Sequence, residues 1–110
     1  MKLVGYNHAL ISREKLTDYV LSETHTTGKS KAKFFRKLGF DETNVSIFIK
    51  ALRELAKSEK VTDEIVSEYG TKYIIDGEMN APIGKIVRIR TVWIIEKGQK
   101  RPRFVTVYPV

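Results

Sequence analysis

Polar side chains interrupt two apolar segments near the end of this 110-residue chain. Arg88, Arg90 and Thr91 lie in the first segment, and Thr106 and Tyr108 lie in the second. Threonine and tyrosine are good sheet formers, so a purely structural role is open to them. The alternative is that these side chains converge into a site. Their position within apolar strands makes them the most informative residues of the sequence.

A second candidate group lies in the lysine-rich run of residues 28–33. A helix here places Lys29 and Lys33 on one exposed side and directs Lys31 elsewhere. Lys31 then lies nearer His25 and the turn that precedes the helix. A lysine and a helix N-terminus together suit a phosphate group, so this end of the helix is a candidate phosphate site.

The positive charge of the chain is unevenly distributed, and the net charge is +7. Residues 29–40 carry five basic residues and no acidic one, and residues 85–110 carry seven basic residues against Glu96 alone. Residues 41–70, by contrast, hold seven acidic and four basic residues, which sums to −3. This polarity favours an anionic partner such as nucleic acid or an acidic protein, although lysines that only keep a small protein soluble also give excess charge.

Length and composition predict one globular domain over residues 1–110. Hydrophobic residues make up 42% of the chain and charged residues 30%, which argues against a disordered protein. The chain has no cysteine, and His8 and His25 lack the spacing of metal ligands, so neither a metal nor another cofactor is expected. No apolar run is long enough for a signal peptide or a membrane span, so we expect a cytoplasmic protein.

Hydrophobic periodicity predicts helices followed by strands. The apolar stripe from Val45 to Ala56 gives the clearest helical signal, and after Gly70 the period changes to two, which is typical of strands. The predicted helices cover residues 13–21, 30–38 and 44–58, and the predicted strands cover residues 71–76, 85–96 and 103–108. This layout predicts an α+β fold in which about three N-terminal helices pack on a C-terminal antiparallel sheet of three to four strands.

Several helix ends have recognisable signals. Ser12 is the expected N-cap of the first helix, and Gly39-Phe40 predicts a Schellman end for the second. Asp41 or Thr43 is expected to cap the third helix. Residues 61–69 are ambiguous between a short helix and an acidic loop.

The side chains that meet in the closing hairpin depend on its register. The two arginines share one face of their strand and Thr91 lies on the other, whereas Phe104, Thr106 and Tyr108 are expected to share a face. If Ile95 faces Phe104, Thr91 sits opposite Tyr108. If Ile94 faces Thr106, the arginines join Thr106 and Tyr108 instead. The sequence leaves both registers open.

Four segments occur in the order found in a known bacterial family: residues 28–40, 69–73, 90–95 and 105–109. Over nearly its whole length the chain resembles this uncharacterised family, whose members occur as small stand-alone proteins and as C-terminal modules of larger polymorphic toxins. One difference lies in the loop of residues 22–26. Family members have an Asn-Pro pair before the histidine and a proline after it, and this chain has neither.

The layout is also similar to that of the barnase, EndoU, colicin and RelE group of ribonuclease toxins. This resemblance implies metal-independent RNA cleavage by attack of the ribose 2′-hydroxyl on the adjacent phosphate. Such a reaction needs a base, an acid and cations for the charged phosphorane, and His25 has a suitable unperturbed pKa. The implied catalytic residues are His25, Lys31, Arg90, Thr91, Thr106 and Tyr108, and the implied substrate-binding residues are Lys29, Arg88 and Trp93.

Two functions of different class therefore stay open. The first is an endoribonuclease toxin that acts on RNA and is restrained by an acidic antitoxin or immunity protein. The second is a non-catalytic basic module that binds nucleic acid or an acidic partner protein. No membrane contact is expected from either, and the oligomeric state is not predicted.

Overall fold

The computed structural model describes residues 1–22 and 29–110, with the backbone alone for residues 29 and 30. Within this part of the chain helices precede strands, so the predicted α+β class is confirmed. The helical elements are a 3-10 turn at Tyr6–His8, a short helix α1 at Arg13–Lys15 continued by a π-helical segment at Leu16–Val20, α2 at Lys29–Lys37, and α3 at Val45–Ser58. The strands are β1 at Asp63–Ser67, β2 at Gly70–Asn80, β3 at Ile86–Glu96 and β4 at Arg103–Pro109.

Helix α1 begins at the predicted cap. The Oγ of Ser12 accepts a hydrogen bond from the backbone N–H of Lys15 at 3.3 Å. From Leu16 onward the helix widens into the π form, and the N–H of Leu21 bonds to the carbonyl of Leu16 at 2.7 Å. The wider turn alters the direction of the side chains that it carries, and Tyr19 is one of them.

Helix α2 ends in the predicted Schellman motif. The N–H of Phe40 bonds to the carbonyl of Phe35 at 3.2 Å, and the N–H of Gly39 bonds to the carbonyl of Arg36 at 3.0 Å. Gly39 has a φ of +99°, and a Cβ at this position would lie 3.0 Å from Pro82. Glycine is therefore required here by both the backbone conformation and the close approach of the β2–β3 turn.

The predicted cap of helix α3 is wrong. Asn44 occupies the N-cap position, and its side-chain amide donates to the carbonyl of Gly39 at 2.8 Å instead of capping α3. Asp41 accepts from the backbone N–H and the hydroxyl of Thr43, which lowers the pKa of Asp41. The apolar stripe is confirmed, and its fully buried members are Val45, Phe48, Leu52, Leu55 and Ala56.

The four strands of the described residues form one antiparallel sheet in the order β1-β2-β3-β4. Strand β1 corrects the expectation for residues 61–69, which form neither a helix nor a simple loop. It pairs with β2 from Asp63 opposite Ile74 to Ser67 opposite Gly70. All five β1 residues are exposed, so the segment lacks the alternation of buried and exposed positions by which strands are recognised.

A bulge in the β3–β4 pairing decides which side chains share a face. The observed pairs are Arg90 with Tyr108, Val92 with Thr106, and Trp93 with Phe104. The register shifts between the second and third of these pairs, which turns Phe104 towards Trp93. The expectation that Phe104 shares a face with Thr106 and Tyr108 is therefore wrong. The arginines share a face with Thr106 and Tyr108, as in the second alternative, but the register is neither of the two expected, because Thr106 faces Val92 and Phe104 faces Trp93.

The two faces of the sheet have different environments. One face contributes Ile75, Ile89, Trp93 and Val107 to the same core cluster as the buried side chains of the helices. The opposite side, which we call the outer face, carries the alternate residues of β2, β3 and β4. Those used below are Lys72, Ile74, Asp76, Ile86, Arg88, Arg90, Val92, Ile94, Thr106 and Tyr108.

Candidate functional site

Lys31 lies where the first turn of α2 approaches the last strand of the sheet. Its Nζ donates to Oγ1 of Thr106 at 2.9 Å and to the hydroxyl of Tyr19 at 3.3 Å. The same atom lies 5.0 Å from the ring centroid of Tyr19 and 5.4 Å from that of Tyr108. Hydroxyl oxygens and ring faces stabilise an ammonium group without neutralising its charge. These contacts fix the position of Lys31 and leave its positive charge available to an anion.

Tyr108 lies between two cations. One is Lys31, which contacts the ring, and the other is Arg90, which is directly opposite Tyr108 on β3. Asp76 raises the pKa of Arg90, through a hydrogen bond and then through its charge, and Tyr108 adds a smaller effect in the same direction. Arg90 is therefore positively charged under all physiological conditions, and the outer face presents two cations around one aromatic ring.

Arg90 is held by a bidentate ion pair with Asp76 on the neighbouring strand. The Nε of Arg90 donates to Oδ1 of Asp76 at 2.8 Å, and its Nη2 donates to Oδ2 at 2.9 Å. The Asp76 side chain is 12% exposed and the Arg90 side chain 38%. Hydrogen bonds from Arg90 lower the pKa of Asp76, so the carboxylate stays ionised. The pair uses the edge of the guanidinium formed by Nε and Nη2.

We call these contacting side chains the polar cluster: Tyr19, Lys31, Asp76, Arg90, Thr106 and Tyr108. Four of its members are among the predicted site residues, and Tyr19 and Asp76 are not. The periodicity of the first helix marks Tyr19 only as an apolar position, although a tyrosine there also carries a polar tip. The sequence could have indicated Asp76, because opposite charges on strands joined by a short turn often pair across the sheet.

Thr91 and Trp93 lie in the core, away from the polar cluster. Both side chains are fully buried. The hydroxyl of Thr91 donates to the carbonyl of Ile75 at 2.9 Å and accepts from Nε1 of Trp93 at 2.8 Å. This arrangement satisfies the indole N–H inside the core and gives both residues a structural role.

The other predicted residues lie in different places. Arg88 is exposed on the outer face, two residues before Arg90 on the same strand. His25 and the side chain of Lys29 fall outside the described residues. Lys29 is the first residue of α2, so its backbone lies two residues before Lys31.

Two further features were sought among the described residues: a cluster of metal ligands and a membrane-spanning helix. Within residues 1–22 and 29–110, no three His, Cys, Asp or Glu side chains converge in a way that suits a metal ion. No helix in this part of the chain is long and apolar enough to cross a membrane.

A known family model matches nearly the whole chain. Residues 2–110 match the model of a domain of unknown function, DUF6883. The chain belongs to this family. No curated protein sequence matches it significantly.

A chain of a solved structure has a similar fold. It is a chain of the contact-dependent growth inhibition toxin–immunity protein complex from Klebsiella pneumoniae 342, with a TM-score of 0.73 and 19% sequence identity. The match covers 92% of the DUF6883 chain and 99% of the Klebsiella chain. At this identity the likeness establishes a common fold.

Proposed function

We propose that this DUF6883 protein is a ribonuclease-type toxin that cleaves RNA by attack of the ribose 2′-hydroxyl on the adjacent phosphate. The observation that carries the proposal is the convergence of Lys31 and Arg90 around Tyr108 on the outer face. Two cations beside hydroxyl groups suit a phosphodiester better than a neutral ligand. The shared fold with a chain of a toxin–immunity protein complex supports a role in a toxin–immunity system.

In the proposed reaction the ribose 2′-oxygen forms a bond to phosphorus and the bond to the 5′-oxygen breaks. The 2′-hydroxyl proton passes to a base, and an acid protonates the departing 5′-oxygen. The products are a 2′,3′-cyclic phosphate and a 5′-hydroxyl. Lys31 and Arg90 stabilise the negative charge that builds up on the phosphorane oxygens, which is the largest electrostatic demand of the reaction.

The remaining groups position the phosphate and move protons. Thr106 holds the Lys31 ammonium through its hydroxyl, and Asp76 holds the guanidinium of Arg90. Tyr108 has its ring against Lys31 and is the cross-strand neighbour of Arg90, which suits it to pass a proton or to orient an oxygen. His25 is proposed as the acid or base from its residue type, because its unperturbed pKa lies near neutrality.

An acidic protein is the proposed inhibitor of this activity. Arg88 lies on the outer face beside Arg90, Lys31 of α2 contacts the same face at Thr106, and the chain has a net charge of +7. Carboxylates of an antitoxin or immunity protein would pair with these cations and exclude RNA. A soluble partner that binds wild type but binds an Arg88→Glu variant more weakly, with both proteins folded, supports this arrangement.

Cleavage of RNA by purified protein tests the function. Wild-type protein is incubated with structured and unstructured RNA in the presence of a chelator, beside a Lys31→Met variant. Lys33→Met is a matched control, since Lys33 is exposed on the same helix and lies outside the polar cluster. We expect wild type and Lys33→Met to produce fragments with 2′,3′-cyclic phosphate ends, and Lys31→Met to lose about 100-fold in rate.

Two results would contradict the proposal. RNA that is bound but stays intact would identify the non-catalytic binding module instead. Equal loss of activity in the Lys31→Met and Lys33→Met variants would show that general positive charge, and not the polar cluster, is responsible.

A further inference from the structure

The outer face carries an apolar strip beside the polar cluster. Its members are Ile74, Val92 and Ile94, and all three lie outside the core cluster on the helical side of the sheet. Ile74 and Val92 are directly opposite each other and are half-buried, and Ile94 is 7% exposed. Ile74 and Val92 therefore supply the accessible part of the apolar strip, and Ile94 extends it as a buried neighbour.

The apolar strip continues directly from the polar cluster. Val92 follows Arg90 by two residues on the same face of β3, which is about 6.7 Å along a strand. Val92 is also the cross-strand partner of Thr106, whose hydroxyl accepts from Lys31. A ligand with its phosphate between Lys31 and Arg90 therefore has the apolar strip as its next surface.

The charges around the apolar strip also fit a chain of nucleotides. Lys72 is exposed on β2 directly opposite Ile94, at the end of the strip away from Arg90. Cations thus lie at both ends of the strip, with apolar side chains between them. This alternation matches a nucleic-acid strand, in which anionic phosphates alternate with bases that have apolar faces.

We infer that the apolar strip binds the base of a nucleotide whose phosphate lies between Lys31 and Arg90, so that the substrate is single-stranded RNA. The inference rests on the proposed function and extends it to a substrate class. In duplex RNA the faces of the bases are covered by stacking, and only an unpaired base can lie flat against Ile74 and Val92.

Binding of two non-cleavable probes tests the inference. The first is a 2′-O-methyl RNA hexamer, which has bases but no attacking hydroxyl, and the second is an abasic 2′-O-methyl ribose-phosphate strand of the same length. The variant combines Ile74→Thr with Val92→Thr, because threonine keeps the β-branched shape and removes apolar surface. Ile86→Thr is the matched control, since Ile86 lies on the outer face of the same strand and is 64% exposed. Thermal unfolding checks that each variant is folded.

We expect wild type and Ile86→Thr to bind the hexamer more tightly than the abasic strand. The double variant should bind the hexamer about five- to tenfold more weakly and the abasic strand unchanged. A single Val92→Thr variant gives the same comparison if the double variant is unfolded.

Failure of the inference and failure of the proposed function give different results. Equal binding of the two probes by wild type would overturn the base-binding role and leave phosphate binding by Lys31 and Arg90 intact. Base-dependent binding together with intact natural RNA would support the apolar strip and contradict ribonuclease activity. Binding of neither probe at low salt would overturn both.

Discussion

Arg90 and Tyr108 are directly opposite each other on β3 and β4, and the ring of Tyr108 lies 5.4 Å from the ammonium of Lys31. These contacts join the inner strand β3, the edge strand β4 and helix α2. The relationship depends on the bulge beside Val92, because an unbroken register would have kept Phe104 and Tyr108 on one face. The bulge lets the same short strand supply Phe104 to the core and Tyr108 to the polar cluster.

Replacing Tyr108 with phenylalanine removes the hydroxyl and keeps the ring, so it distinguishes the contributions of the two groups. The ring keeps its cation–π contact with Lys31, so we expect the thermal stability to stay close to that of wild type. If the hydroxyl positions the phosphate or transfers a proton, RNA cleavage should fall about 10- to 100-fold. Single-turnover cleavage measures this effect, and Tyr69→Phe is a control at an exposed tyrosine outside the polar cluster. Equal rates for Tyr108→Phe and wild type would remove the hydroxyl from the mechanism.

Thr91→Val tests whether Thr91 belongs to the core. Valine has nearly the same shape but cannot accept the hydrogen bond from Nε1 of Trp93, which leaves a buried donor unsatisfied. We expect the free energy of unfolding to fall by about 1–3 kcal/mol in urea titrations. Cleavage per folded molecule should not change. A folded Thr91→Val variant that has lost cleavage would instead place Thr91 in the reaction.

Local signals in the sequence were sufficient for some elements. The stripe of α3 and the Schellman motif at Gly39 are set by residues close in sequence, and the structure has both. Strand β1 has no buried side to produce a period of two, so the sequence could not distinguish it from a loop. Its strand character comes from hydrogen bonding to β2.

The polar cluster was harder to predict than its individual residues. Lys31 and Thr106 lie 75 positions apart in sequence, and their contact depends on how α2 packs against the sheet. Tyr19 reaches Lys31 from a π-helical segment, which no residue pattern of the first helix indicated. Thr91, a residue of the type expected in a site, was needed instead to satisfy Trp93. Polar residue type therefore pointed to β3 and β4, and only the packing separated the polar cluster from the core.

Gly70→Ala should be far more destabilising than a glycine change in the β2–β3 turn. Gly70 has a φ of +146°, and an added Cβ would overlap the carbonyl oxygen of Ile95. Gly84 also has a positive φ, of +89°, but an added Cβ meets no atom of the described residues within 4 Å. We expect a loss of about 3 kcal/mol for Gly70→Ala and about 1 kcal/mol for Gly84→Ala in chemical denaturation. Equal losses would mean that the clash with β3 is relieved by a small backbone shift.

Asp76→Asn should weaken both the acid dependence of stability and the hold on Arg90. Arg90 lowers the pKa of folded Asp76, so the ion pair contributes its stability above the unfolded pKa of about 3.9 and loses it as the pH falls through the lower folded value. We expect Asp76→Asn to reduce the free energy of unfolding by about 1 kcal/mol at pH 7, a modest value because Arg90 is partly exposed, and by much less near pH 2. Urea titrations at both pH values measure this difference, with Asp63→Asn on β1 as the control because Asp63 is exposed. A loss of the same size at both pH values would show that the carboxylate charge of Asp76 does not stabilise the fold.

If Arg90 also binds phosphate, the Asp76→Asn variant should raise the KM for RNA more than it lowers kcat, since the guanidinium keeps its charge but loses its fixed position.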